Sequence, residues 1–127
     1  MRLHFIKPLK LKRALLTPFF LLSGFAAEAA NYDFLAAPQV DLNRIYRLDR
    51  ATGEIGACQY GLKDNSVGVT LCYPPGEGAG PQSPSEYGLI ASRHEREAGI
   101  FRVDLRTGAI SICYVLNEAV VCTPQAK

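Results

Sequence analysis

Apolar and polar residues alternate in short runs from Tyr32 onward, which is the pattern of half-buried β-strands. Turn-forming residues separate eight such runs. The predicted strands are 32–36, 44–48, 55–60 and 67–73 in the first half of this region and 87–92, 99–103, 109–115 and 119–122 in the second. No run beyond residue 30 keeps a helical period, so the sequence predicts an all-β fold.

The two halves of this region are copies of one unit. Residues 32–58 align without a gap on residues 87–113, with 9 identities in 27 positions. Each copy therefore predicts the same four-stranded antiparallel meander. Several strands are apolar on both faces, and such a sheet needs a partner sheet. We predict two sheets, stacked or paired into a small sandwich-like domain, with a propeller-like assembly of several chains as the alternative.

The segment 1–29 has the pattern of a secretory signal peptide. Five basic residues precede a 14-residue run that is almost entirely apolar, and Ala27-Glu28-Ala29 provides the small residues of a cleavage site. An uncleaved membrane anchor is the alternative, but the run is shorter than the roughly 20 residues that span a bilayer, and Pro18 interrupts it. Cleavage removes the run, so no stable membrane span is expected in the mature chain. The sequence predicts a periplasmic or secreted protein.

Removal of this leader, which holds five basic residues and one acid, changes the net charge from +2 to −2. Nucleic-acid binding requires a basic patch, and the scattered arginines that remain do not form one. No nucleic-acid partner is therefore expected. The remaining chain divides into repeat 1 (30–73), a linker rich in proline and glycine (74–86), and repeat 2 with a short tail (87–127).

All four cysteines lie beyond the leader, and an even number in an exported chain predicts two disulfides. In repeat 2, a two-residue turn between the last two strands places Cys113 opposite Cys122, at a distance that a disulfide can span. The corresponding strands of repeat 1 relate Cys58 to Cys72 in the same way. We predict that each disulfide closes within its own repeat.

Each repeat contains the motif Asp-x-x-Thr-Gly between two apolar strands. A carboxylate that begins a type I turn accepts hydrogen bonds from backbone N–H groups two or three residues later, and the glycine then adopts a left-handed conformation. The turn explains position, spacing and repetition together, whereas a metal site or acid/base pair explains only the aspartates. The structural turn residues, expected to be equivalent in the two repeats, are Asp49, Thr52, Gly53, Asp104, Thr107 and Gly108.

The motif belongs to a longer shared element, I-[YF]-R-[LV]-D-x-x-T-G-x-I-x-x-C, at residues 45–58 and 100–113. This element resembles the blade repeat of β-propellers of the quinoprotein type, in which L-D-x-x-T-G precedes apolar residues and a tryptophan. Here a cysteine stands near the tryptophan position, and two copies are fewer than the about four to eight blades of a propeller. The resemblance implies a blade-like sheet and no quinone cofactor.

Candidate chemistry is sparse. His94 is the one histidine beyond the leader, which is too few for a histidine zinc site, so we expect it in a solvated loop and predict no catalytic residue, metal or cofactor. Arg47 and Arg102 each precede a turn aspartate by two residues and share its strand face. They are either exposed pairs that protect a sheet edge or two symmetry-related cationic sites for an acidic ligand or polysaccharide.

We therefore expect an exported, non-enzymatic β-repeat protein of a bacterium, acting as a binding or structural module of the cell envelope. A protein or glycan partner and a homo-oligomer are all compatible with this role. A small periplasmic hydrolase or redox enzyme is the alternative, and it requires a cavity that groups His94 with an acid and a nucleophile. An inhibitor or partner of an envelope protein would instead expose an apolar edge or patch.

Overall fold

The computed structural model describes residues 31–127 together with positions 4, 10 and 16–18. The predicted cleavage site and nearly all of the predicted leader lie outside the described residues. In the described part of the chain, no helix is long and apolar enough to cross a membrane.

Eight strands form two antiparallel sheets of four, and within each sheet the strands follow chain order. The strands are β1 (Tyr32–Ala36), β2 (Arg44–Asp49), β3 (Ile55–Gly61), β4 (Val69–Tyr73), β5 (Tyr87–Ile90), β6 (Ile100–Asp104), β7 (Ile110–Leu116) and β8 (Ala119–Cys122). Sheet 1 comprises β1–β4 and sheet 2 comprises β5–β8. The all-β fold with two meanders in contact is confirmed, and no predicted strand end is wrong by more than two residues.

Sheet 1 buries the face that carries Tyr46 and Ile55, and neither of these side chains is exposed to solvent. Their equivalents 55 residues later are Phe101 and Ile110. In sheet 2 that same face points away from sheet 1, so that Phe101 is only partly buried and Ile110 is 50% exposed. Equivalent positions of the two repeats therefore have opposite environments.

Sheet 2 buries its other face. Ile100 and Cys113 are fully buried on it, whereas their equivalents in sheet 1, Ile45 and Cys58, lie on an outward face where Ile45 is 42% exposed. The face of sheet 1 that carries Tyr46 thus packs on the non-equivalent face of sheet 2, which carries Ile100. The sheets are stacked in the same orientation and do not form a face-to-face pair with two-fold symmetry.

The segment 74–86, which connects the two repeats, is hydrogen-bonded to sheet 2. Val120 N donates to Pro74 O at 2.9 Å, Gly76 N donates to Val120 O at 2.6 Å, and Cys122 N donates to Glu77 O at 2.9 Å. Proline removes a backbone donor but keeps its carbonyl acceptor. The segment therefore extends sheet 2 beyond β8 because β8 supplies most of the donors.

The same segment also bonds to sheet 1. Ile55 N donates to Ala79 O at 2.9 Å, and Ala79 is fully buried between the sheets. Gly78 has a φ of +74°, and a Cβ atom there would collide with the backbone carbonyl of Cys122. Only glycine combines this conformation with this close approach. The connection between the repeats is thus part of the core.

Both disulfides form within their repeats, as predicted. Cys58 is bonded to Cys72 and Cys113 to Cys122, with Cα–Cα distances of 4.0 and 4.1 Å. The β7–β8 register places Cys113 opposite Cys122. The second disulfide lies in the core, and the first lies on the outward face of sheet 1, because the two sheets bury opposite faces.

Candidate functional site

The Asp49 turn is held by its own side chain. Asp49 Oδ1 accepts hydrogen bonds from Ala51 N at 2.9 Å and Thr52 N at 3.1 Å. Thr52 Oγ1 accepts one from Glu54 N at 3.3 Å, and Gly53 has a φ of +74°. These contacts are those of an aspartate-initiated turn that returns the chain into β3.

The Asp104 turn repeats this arrangement and adds one partner. Asp104 Oδ1 accepts hydrogen bonds from Ser85 Oγ at 2.7 Å, Arg106 N at 3.0 Å and Thr107 N at 3.1 Å. These bonds, the Ser85 hydroxyl first, hold the pKa of Asp104 at about 2. The carboxylate is ionised at neutral pH and accepts three hydrogen bonds within the turn, which suits a structural group rather than a proton donor.

No group of three or more histidine, cysteine, aspartate or glutamate side chains is placed to hold a metal ion within the described residues. His94 Nε2 lies 3.3 Å from Glu97 Oε1, and both side chains are more than half exposed. Ser92 Oγ accepts a hydrogen bond from the His94 backbone N–H at 3.2 Å. The histidine therefore occupies an exposed loop with a single acidic neighbour.

Arg102 lies in the core, so the expectation of a second exposed cation is wrong. It is 7% exposed, and its Nη1 donates to Gly53 O at 2.9 Å and its Nη2 to Gly78 O at 3.0 Å. Burial lowers the pKa of the guanidinium, and the nearby Tyr87 opposes this effect. Sheet 1 and the segment 74–86 cover this face, so Arg102 joins both of them to repeat 2.

Arg47 is exposed, as expected. Its guanidinium lies over the ring of Tyr32, 5.4 Å from the centroid, and its cross-strand partner on β1 is Phe34. Tyr32 is 50% exposed and Phe34 60% exposed. Neither aromatic neighbour of Arg47 was predicted from the sequence, although the antiparallel register of β1 on β2 places both beside it.

These side chains define two outward surfaces. The Arg47 surface of sheet 1 comprises Tyr32, Phe34, Ile45, Arg47 and the Cys58–Cys72 disulfide. The Ile110 surface of sheet 2 comprises Ile90, Phe101, Val103, Ile110 and Ile112. Both are sheet faces on which large apolar side chains are exposed to solvent.

A cavity of about 350 Å³ lies at the junction of the repeats, lined by Arg44 from repeat 1 and by Glu97 and Tyr114 from repeat 2. Arg44 Nε donates to Gln59 Oε1 at 2.8 Å, and its guanidinium lies 5.6 Å from the centroid of the Tyr73 ring. The polar side chains that line this cavity are Arg44, which is bonded within sheet 1, Glu97 and Tyr114. They do not form a nucleophile with its base.

A second cavity, of about 310 Å³, is lined by Tyr87, Arg102, Asp104 and Ser111 among others. The guanidinium of Arg102 and the carboxylate of Asp104 both bond to other protein groups, as described above. Neither of these two cavities places a free nucleophile beside a base.

The chain matches no protein-family model, no curated protein and no solved structure. What the structure has in common with a propeller blade is the four-stranded antiparallel sheet, present twice.

Proposed function

We propose that this protein is an exported, non-enzymatic binding module of the bacterial cell envelope, and that it binds a protein partner through its outward sheet faces. The observation that carries this proposal is the exposure of large apolar side chains on both of these faces. Phe34 and Tyr32 in sheet 1 and Ile90 and Ile110 in sheet 2 are each at least half exposed. Contiguous apolar patches of this kind mark interaction sites on soluble proteins.

The composition of the Arg47 surface favours a protein partner. Tyrosine, phenylalanine and arginine are enriched at protein interfaces, and tyrosine and arginine are also frequent hot-spot residues. Tyr32 and Arg47 already stack on each other, which reduces the side-chain entropy lost on binding. The candidates for acid/base chemistry, Asp49, Asp104 and His94, instead contact groups within turns and loops.

Two intramolecular disulfides support an oxidising compartment outside the cytoplasm. Together with the predicted leader, they support a periplasmic or secreted location. They also stabilise a small domain, in which a single core supplies only a few kcal/mol.

Site-specific photo-crosslinking in intact cells tests this proposal. A photoreactive side chain placed at Phe34 or Ile110 should give a discrete protein adduct, because these positions would lie inside an interface. The matched control is Leu62, which is 89% exposed on the loop between β3 and β4. The adduct from Phe34 should disappear when Arg47→Glu is added. Adducts at none of the outward positions, or equal adducts at Leu62, would contradict the proposal.

A further inference from the structure

The contact between the two sheets joins unlike surfaces. The face of repeat 1 that carries Tyr46, called the Tyr46 face, packs on the face of repeat 2 that carries Arg102, called the Arg102 face. The other face of each repeat points outward. The Ile110 surface of repeat 2 is the equivalent of the buried Tyr46 face. The Arg47 surface of repeat 1 is the equivalent of the buried Arg102 face. The Ile110 surface and the Arg47 surface are thus exposed equivalents of the two faces that already pack on each other inside the chain.

We propose that these two surfaces bind each other between copies of the chain, so that the Ile110 surface of one copy packs on the Arg47 surface of the next. This inference rests on the proposed function, since it identifies the protein partner of the same surfaces as a second copy. The internal contact supplies the geometry, because the equivalent residues already pack in this way within one chain.

The hydrogen bond of Arg102 to Gly53 is one internal contact that the two exposed surfaces can repeat between copies. Inside the chain, Arg102 Nη1 donates to Gly53 O at 2.9 Å. The equivalent pair is Arg47, which is exposed, and Gly108, which has a φ of +77°. Among the described residues, none other than the two chain neighbours of Gly108 places a heavy atom within 4 Å of the position that its Cβ atom would occupy. The Gly108 turn is therefore open to receive the Arg47 guanidinium of another copy.

A tyrosine contact accompanies it. The ring of Tyr87 lies against Gly53, 3.0 Å from where a Cβ atom would be, and Tyr87 is 5% exposed. Its equivalent, Tyr32, is 50% exposed. Packing Tyr32 of one copy against Gly108 of another would bury this ring as Tyr87 is buried. The absence of a Cβ atom at Gly108 permits that approach.

The apolar part of the Ile110 surface also suits this role. The Tyr46 hydroxyl donates to Ala98 O at 2.7 Å within the internal contact. Its equivalent is Phe101, which has no hydroxyl and so needs no acceptor in an interface. Ile110 retains the identity of the fully buried Ile55. The five side chains that define this surface are all apolar, so none of them needs a hydrogen-bond partner when it is buried.

The contact between copies should be weaker than the internal one. Arg102 also donates to Gly78 O in the segment 74–86. The segment 74–86 also joins the two repeats covalently, whereas two copies lose translational and rotational freedom when they associate. We therefore expect association that depends on protein concentration rather than a permanent oligomer.

A contact between unlike surfaces extends by addition of further copies. It closes into a ring if the rotation between copies allows, and otherwise it forms an open chain. Closed rings of four-stranded sheets, as in β-propellers, contain about four to eight sheets. That number corresponds to about two to four copies of this two-sheet chain. Both outcomes use the same interface.

Sedimentation of the purified mature protein over a range of concentrations tests this inference. We expect masses that are multiples of the monomer, increasing with concentration. Arg47→Glu should weaken association about 10- to 100-fold, as expected for the loss of a hydrogen bond from a charged donor. Arg96→Glu, which makes the same charge change in the exposed loop before β6, should leave association unchanged.

Mixing two variants gives a sharper result. Arg47→Glu keeps an intact Ile110 surface, and Ile110→Glu keeps an intact Arg47 surface. Each variant alone should be monomeric, while an equal mixture should form a dimer that does not grow, because only one pair of intact surfaces remains. A contact between like surfaces would not be restored by mixing. Unchanged melting temperatures would show that both variants are folded, which is expected because the two positions are exposed.

Wild-type protein that stays monomeric at all concentrations, or variants whose mixture forms no dimer, would overturn the inference. Photo-crosslinking in cells separates this failure from that of the proposed function. An adduct whose mass includes a different protein would reject self-association and retain a binding module. The absence of any adduct at the outward faces would reject both.

Discussion

Arg47 and Arg102 occupy the same position of two aligned repeats, yet Arg102 is buried against Gly53 O and Gly78 O while Arg47 lies exposed over the ring of Tyr32. The difference arises from the stacking of the sheets, which covers one face of repeat 2 and the opposite face of repeat 1.

Arg102→Met should destabilise the protein by about 2–4 kcal/mol, because it leaves the buried carbonyl of Gly53 without its donor and also removes the hydrogen bond to Gly78 O. Arg47→Met should change the free energy of unfolding by less than about 0.5 kcal/mol, as expected for an exposed position. Urea denaturation of the two variants measures both values. Equal effects would show that the two arginines have equivalent environments, contrary to the structure.

The two disulfides should differ in their resistance to reduction. Cys72 is exposed on the outward face of sheet 1, whereas Cys113 is fully buried in the core. Under native conditions a thiol reductant should therefore open Cys58–Cys72 first. Alkylation at successive times followed by peptide mapping gives the order. Simultaneous loss of both disulfides would indicate that reduction requires global unfolding.

The turn glycines should not tolerate substitution equally, although the sequence suggests that they are equivalent. Alanine at either position adopts a left-handed conformation at a cost of roughly 1 kcal/mol. At Gly53 the new Cβ atom would also lie 3.0 Å from the Tyr87 ring, whereas at Gly108 it meets open space. Gly53→Ala should therefore lower the melting temperature more than Gly108→Ala. The reverse order, measured by thermal unfolding, would contradict the packing of Tyr87.

The Asp104 turn should contribute a component of stability that depends on pH. The pKa of Asp104 is depressed from 3.8 to about 2 in the folded protein. Its contribution is then fully present above the unfolded value and is lost as the pH falls through about 2. Asp104→Asn removes this titration while keeping an oxygen that accepts the turn hydrogen bonds. Stability measured from pH 5 to pH 2 should decrease less in the variant, and identical profiles would count against this assignment.

Processing of the leader remains a prediction from the sequence. N-terminal sequencing of the exported protein should begin at Ala30, because Ala27 and Ala29 provide the small side chains that cleavage requires. Ala29→Arg should block cleavage and leave the longer chain associated with the membrane. Recovery of wild-type protein with intact Met1 in the membrane fraction would contradict the prediction.

Local features of the chain were predictable because their physical causes are local. Alternation of apolar residues indicates strands, the carboxylate of Asp104 and the left-handed Gly108 define a turn, and a two-residue turn sets the register that joins Cys113 to Cys122. These determinants involve residues close together in sequence. The repeat then extends the same assignments from one sheet to the other.

The tertiary structure alone decided which face of each sheet is buried. Ile45 and Tyr46 are both apolar and lie on opposite faces of β2, so alternation does not distinguish the inside from the outside. The choice depends on contacts between residues about 50 positions apart, such as Arg102 with Gly53, and on the carbonyl groups of the segment 74–86. Burial is a property of the packed pair of sheets and not of either strand pattern, so two repeats with the same pattern of strands expose opposite faces.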